Sequence, residues 1–155
     1  MNFTVSKYVF DFLLDHMLDI HRRKMNIVSP YTIDYDSYMS KLNCLNGYIR
    51  GIEAFLEDSK PADIKDEIPF VIIGSTVHLR AIGTDKRKIV KIILPKDESH
   101  REKGVEAHHC FSEWGHELML KKPHERVHIE PGEEHIVESI HVNAALFVRN
   151  NNNEN

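Results

Sequence analysis

No apolar run in this chain approaches the roughly 20 residues that a membrane-crossing helix requires. Met1 to Asp15 has neither the basic start nor the unbroken apolar stretch of a signal peptide. Cysteine is scarce too. Cys44 and Cys110 are the only two, they make no spaced framework, and they read as reduced thiols of a cytoplasmic protein, with a mutual disulfide as the open alternative. A basic excess is also missing. The formal charge of −4 supplies no global attraction to nucleic acid phosphates, so a protein partner, or one with basic surfaces, is the easier electrostatic match. At 155 residues, 41% hydrophobic and 28% charged, the chain has the composition of a globular protein with one ordinary domain or two small ones.

What is present begins with a helical period. Val5, Tyr8, Val9, Phe12, Leu13, His16, Met17 and Ile20 recur three and four apart, with Asp11, Asp15 and Asp19 opposite. Thr4 or Ser6 is the expected cap, and His21, Arg22, Arg23 and Lys24 suit the negative end of a helix dipole. After a fresh start signal at Ser29-Pro30, with Asp34 as a second cap, Tyr35, Tyr38, Leu42, Leu45, Ile49, Ile52 and Leu56 form a heptad seam. A connection of about ten residues makes the first helix its antiparallel partner, so residues 1–60 read as a helical hairpin, a short coiled coil. Gly47 and Gly51 weaken the second helix, and a close approach by another element is one reason to tolerate them.

Glu57 to Glu67, polar and holding Pro61, reads as a linker. Beyond it the period becomes strand-like. Val77, Leu79 and Ala81 alternate with His78 and Arg80, Gly83-Thr84-Asp85 turns the chain, and Lys88 to Leu94 is β-branched up to Pro95. A charged loop from Lys96 to Lys103, a strand over Gly104 to His109, and a short helix from a Ser112 cap to Met119 follow. Trp114, Leu118 and Phe111 are its candidate core residues. Arg126 to Glu130, a Pro131-Gly132 turn and Glu134 to Val142 complete a hairpin. The fold class is therefore α+β: a helical hairpin, an antiparallel β-domain with one short helix over 69–148, and a disordered Asn-rich tail over 149–155.

Five stretches in this order resemble the small FKBP-like C-terminal domain of the bacterial Gre-type transcription elongation factors. They are Ile73-Gly74-Ser75-Thr76-Val77, Lys88 to Leu94 leading into Asp97-Glu98, Ser112 to Leu120, Val127 to Glu133, and Ile136 to Ile140. The likeness covers about half the chain. Glu113 stands where the family carries Pro, and Leu120 where it carries the Gly that ends the helix. Gly115 and the short hairpin suit the branch of regulators of nucleoside diphosphate kinase. The resemblance implies an RNA polymerase partner, docking at the secondary-channel rim through Ser112, Glu113, Trp114, Gly115 and His116, and a hairpin tip comprising Arg22, Arg23, Lys24, Asp34 and Asp36.

In cleavage-stimulating members, two tip acids help hold a magnesium ion and activate water. Asp34 and Asp36 are the candidates here. The family's Asp-Leu-Ser-Glu-Asn stretch is absent, however, and residues two apart do not share a helix face. A cap at Asp34 and a first-turn acid at Asp36 is the expected reading. Arg22, Arg23 and Lys24 admit contact with nucleic acid or an acidic surface, against ordinary helix capping. His108, His109, Cys110, His116 and His124 are of ligand type, but neighbours on a strand point to opposite faces, so no metal or other cofactor is expected. His135 and His141 read as surface residues. Neither a Cys110 nucleophile nor prolyl isomerisation finds an ordered set of groups.

The resulting expectation is a non-enzymatic, cytoplasmic elongation regulator bound to RNA polymerase, as a monomer or as a dimer through the hairpin, with no membrane and no sequence-specific nucleic acid partner. The alternatives are a cleavage-stimulating factor using Asp34 and Asp36, and an interaction module of another pathway.

Overall fold

The computed structural model describes residues 3–28, 34–97, 102–130 and 133–143, so the Ser29-Pro30 start signal, the Pro131-Gly132 turn, Glu98 and the Asn-rich tail lie outside the described residues. Two compact units emerge, divided between Glu67 and Ile68. Among the described residues no helix is long and apolar enough to cross a membrane.

The first unit holds strand β1 (Phe3–Ser6), helix α1 (Lys7–Val28), helix α2 (Tyr35–Glu57) and strand β2 (Ser59–Ala62). Ser6 is the cap of α1, its Oγ accepting the Val9 N–H at 3.1 Å; Thr4 lies within β1. The helices are antiparallel. Met25 takes a hydrogen bond from Tyr38, Lys24 donates to Asn46, and His16 meets Tyr48. Val9, Leu13, Ile20, Leu45 and Ile52 are sealed between them.

Four expectations need correction. The helix does not end at the basic run: Ile27 and Val28 are buried, and that burial carries α1 past Lys24 to Val28. The expected linker contains β2, paired in parallel with β1 from Phe3–Ser59 to Ser6–Ala62. The Phe3 and Phe55 rings lie 5.0 Å apart beside it. The α2 seam is buried only from Leu45 to Leu56, while Tyr35 is 74% exposed. Gly47 meets nothing: a Cβ there would enter open space.

The second unit is a five-stranded sheet in the order β5-β4-β3-β7-β6, comprising β3 (Thr76–Ala81), β4 (Arg87–Ile93), β5 (Glu106–His109), β6 (Arg126–Glu130) and β7 (Glu133–His141), with helix α3 (Glu113–Leu118). The period-two pattern buries Val77, Leu79 and Ala81, with Val90, Ile92, Val127 and Val137 completing the core. Just before β3, Gly74-Ser75 makes a tight turn. Gly74 sits at φ +98°, and buried Ser75 donates to the Ile72 carbonyl at 2.6 Å while accepting its N–H at 3.1 Å.

The sheet is not wholly antiparallel. β4 and β5 pair in parallel, from Val90–Glu106 to Ile93–His109. A parallel neighbour requires a connection of about a dozen residues, and β4 and β5 are that far apart in sequence. Gly104 at φ +80° turns the chain just before β5.

Candidate docking site

The Ser112–Leu120 segment is held by three local devices. Ser112 caps α3 by accepting the Gly115 N–H at 3.1 Å, and its hydroxyl donates to the His109 carbonyl at 2.8 Å. Gly115 lies against the end of β5: a Cβ there would collide with the His109 carbonyl oxygen and stand 2.8 Å from Cys110 Cα. Only glycine admits that approach. After the C-cap Met119, Leu120 adopts φ +70°, the left-handed conformation that glycine takes without cost. The geometry is kept because Leu120 N–H donates to the Val71 carbonyl at 2.8 Å and Val71 N–H returns to the Lys121 carbonyl at 2.9 Å.

Trp114 is the anchor. It is 8% exposed, stacked on His108 with ring centres 5.4 Å apart, and meets His135 edge-on at 5.7 Å. Lys88 Nζ lies 4.8 Å from the ring centre, a cation–π contact, and reaches Glu106 at 3.2 Å. His135 is 4% exposed, which corrects its reading as a surface residue; its even spacing from Val137 on β7 turns it to the buried face. His108 Nε2 and His135 Nδ1 are buried without hydrogen-bond partners among the described residues; Glu106 stands 3.8 Å from the former, beyond hydrogen-bond reach. Burial holds the His108 imidazole below its usual pKa; Glu106 opposes that shift and Lys88 reinforces it.

Of the five expected docking residues, Trp114 and Gly115 are buried, Ser112 is half-buried, and Glu113 and His116 are exposed. The first two shape the segment, and the last two are the side chains it presents to solvent. A cleft of about 510 Å³ opens beside it, lined by Val105 to His109 with Ile93 and Ser112.

The hairpin residues fall into separate roles. Asp34 is the N-cap of α2, its carboxylate accepting the Ser37 N–H at 2.8 Å, and Asp36 is an exposed first-turn acid. Arg22 and Arg23 pair with Asp19 at 3.8 and 2.9 Å; Lys24 donates to Asn46 at 2.9 Å. None of the three lies in the last turn of α1, so their expected role as caps is replaced by lateral pairing. His16 bonds the Tyr48 hydroxyl at 2.7 Å, and burial lowers its pKa to about 4 against the opposing charge of Asp19.

Among the described residues no three His, Cys, Asp or Glu side chains converge as a metal site. Cys44 and Cys110 are free thiols. Sequence reasoning missed the histidine flanks of Trp114 and the Lys88 cap on its ring. The period-two pattern around Val137 was the available signal for His135, whereas no sequence signal marks Lys88.

No family model matches the chain, and no curated protein matches it. Among solved structures it is similar to GreA factor homolog 1 (Gfh1) of Thermus thermophilus at 14% identity and TM-score 0.42, covering 91% of this chain and 99% of that one. Thermus aquaticus Gfh1 is 17% identical with TM-score 0.43, covering 90% and 97%. The Nitrosomonas europaea elongation factor GreA/GreB is 14% identical with TM-score 0.48, covering 90% and 98%. The structural neighbours of this chain are thus Gre-type transcription elongation factors and their homologue Gfh1.

Proposed function

We propose that this chain is a regulator of transcription elongation that binds RNA polymerase, docking at the secondary-channel rim through the Ser112–His116 segment and acting without stimulating transcript cleavage. The observation that carries the reading is the backbone of that segment. Leu120 holds a left-handed conformation at the position where the resembled family carries its helix-ending glycine, and the Ser112 cap and the Gly115 approach stand in register with it. Glu113 and His116 are then the contacting side chains, and Trp114 is their support. Cleavage is not stimulated because the Asp34 carboxylate is engaged as a helix cap and no second acid shares its face of α2. The partner supplies any catalysis, and this chain acts by occupying or altering access to the channel.

Two assays test the reading. Purified protein is bound to core RNA polymerase with and without a cleavage factor as competitor, and then added to backtracked complexes. Binding displaced by the competitor, with unchanged transcript cleavage, is the expected pair of results. Failure to bind at moderate salt ends the polymerase reading, and faster cleavage ends its non-catalytic half.

A further inference from the structure

Helix α1 carries more apolar surface than α2 covers. Beyond the face packed on α2, Phe10, Leu14 and Leu18 form a second ridge at helical spacing, which Met25, bonded to Tyr38 at the edge of α2, extends. Phe10 and Leu14 are half-buried, while Leu18 is 47% and Met25 51% exposed. A helix with two apolar faces is built for two neighbours. Beside the ridge runs a groove of about 350 Å³ between the helices. Met17, Leu18, His21 and Lys24 line one wall, and Asn46, Ile49, Arg50 and Glu53 the other.

Charge along α1 identifies what fits. Past Lys7 at its start, the first half carries Asp11 and Asp15, which form no ion pair among the described residues, and the second half carries His21, Arg22, Arg23 and Lys24. Asp19, the acid between them, is taken by Arg22 and Arg23. A uniformly acidic helix would meet Asp15 and Glu53 as well as the basic groups. A parallel copy would set acid against acid. An antiparallel copy sets the acidic half of each chain along the basic half of the other, which is the self-complementarity of a two-fold interface.

We propose that the chain associates with a second copy of itself, α1 against α1 antiparallel, about a two-fold axis near Leu18. Leu18 then meets Leu18 of the second copy, the Phe10–Leu14 stretch meets the Met25 end, and Asp15 lies alongside Arg22. One helix per protomer is less than the roughly 800 Å² per partner of a standard stable interface, so the dimer is weak and depends on concentration and salt. This inference is independent of the polymerase reading.

The test is sedimentation equilibrium of the full chain over a range from about 10 to about 500 μM, which brackets weak affinities. The mass should rise from monomer towards dimer, and less so at high salt. Leu18→Glu should weaken association at least tenfold with an unchanged helical circular dichroism signal. Asp15→Arg and Arg22→Asp should each weaken it, because each sets like charges against one another across the axis. An equimolar mixture of those two variants should recover it, because the introduced arginine of one chain then faces the introduced aspartate of the other. A chain that stays monomeric throughout overturns the proposal, as does association indifferent to Leu18→Glu. A mixture no better than its components, or an acidic amphipathic peptide filling the groove of a monomeric chain, overturns it too.

Discussion

The two units each enclose histidine, and they treat it in opposite ways. In the hairpin, His16 bonds the Tyr48 hydroxyl across the helix pair at 2.7 Å, so a polar atom becomes part of the register. In the β-domain, His108 and His135 flank Trp114, each with a buried ring nitrogen that has no hydrogen-bond partner among the described residues. There the rings serve as flat surfaces. A buried group without a partner costs about 1–3 kcal/mol, and the packing of a large indole offsets it. The lesson is that a partly buried histidine can act as a polar fastener or as an aromatic filler, and its ring partners decide which. Trp114 is the only tryptophan, so its fluorescence reports the β-domain while far-ultraviolet circular dichroism follows the hairpin.

The largest effect is expected from Gly115→Ala. The added methyl meets the backbone of His109 and Cys110, which cannot yield as a side-chain tip would. We expect a loss of about 2–4 kcal/mol, seen in the urea midpoint of Trp114 fluorescence and absent from the hairpin signal.

Acidification should strike the hairpin next. The folded-state pKa of His16 is lowered from 6.5 to about 4, so the unfolded chain binds a proton there first. Its contribution is complete above pH 6.5 and is lost as pH falls towards 4, amounting to on the order of 2–3 kcal/mol. His16→Phe should flatten that part of the pH profile measured by circular dichroism.

Tyr48→Phe removes the partner of His16 and should cost about 1–2 kcal/mol at neutral pH. His135→Phe, which removes an unpartnered nitrogen while keeping a ring, should leave fluorescence-detected stability unchanged or slightly raised. Equal losses from the two would erase the contrast between the units. The smallest effect is at Leu120. Leu120→Gly should be more stable than Leu120→Ala by about 1 kcal/mol, because only glycine escapes the strain of φ +70°.

Much of this was legible in the residues. The alternation of Val77, Leu79 and Ala81, the Gly83-Thr84-Asp85 turn and the Ser112 cap are local signals, set by side-chain period and turn chemistry, and they appear where expected. Asp34 as a cap follows the same logic. The parallel entry of β5 was not legible, since strand direction depends on where a long connection leads. Nor was β2, whose Ser59-Lys60-Pro61-Ala62 has no strand pattern and is ordered by β1 far away in sequence. The run to Val28 depended on tertiary burial of Ile27 and Val28 overriding an apparent stop. In the docking segment, Trp114 was legible as core, but its surroundings come from β4, β5 and β7, which no local pattern brings together.

Docking through Glu113 and His116 can be read by titrating labelled protein with core RNA polymerase and following fluorescence anisotropy. Wild type is compared with the exposed-face double variant Glu113→Lys/His116→Glu and with the tip variant Asp34→Asn/Asp36→Asn. Wild type and the tip variant should bind alike, while the double variant should lose at least about tenfold, or 1.4 kcal/mol. Absent binding by a folded wild type, or equal binding by the double variant, would contradict that docking.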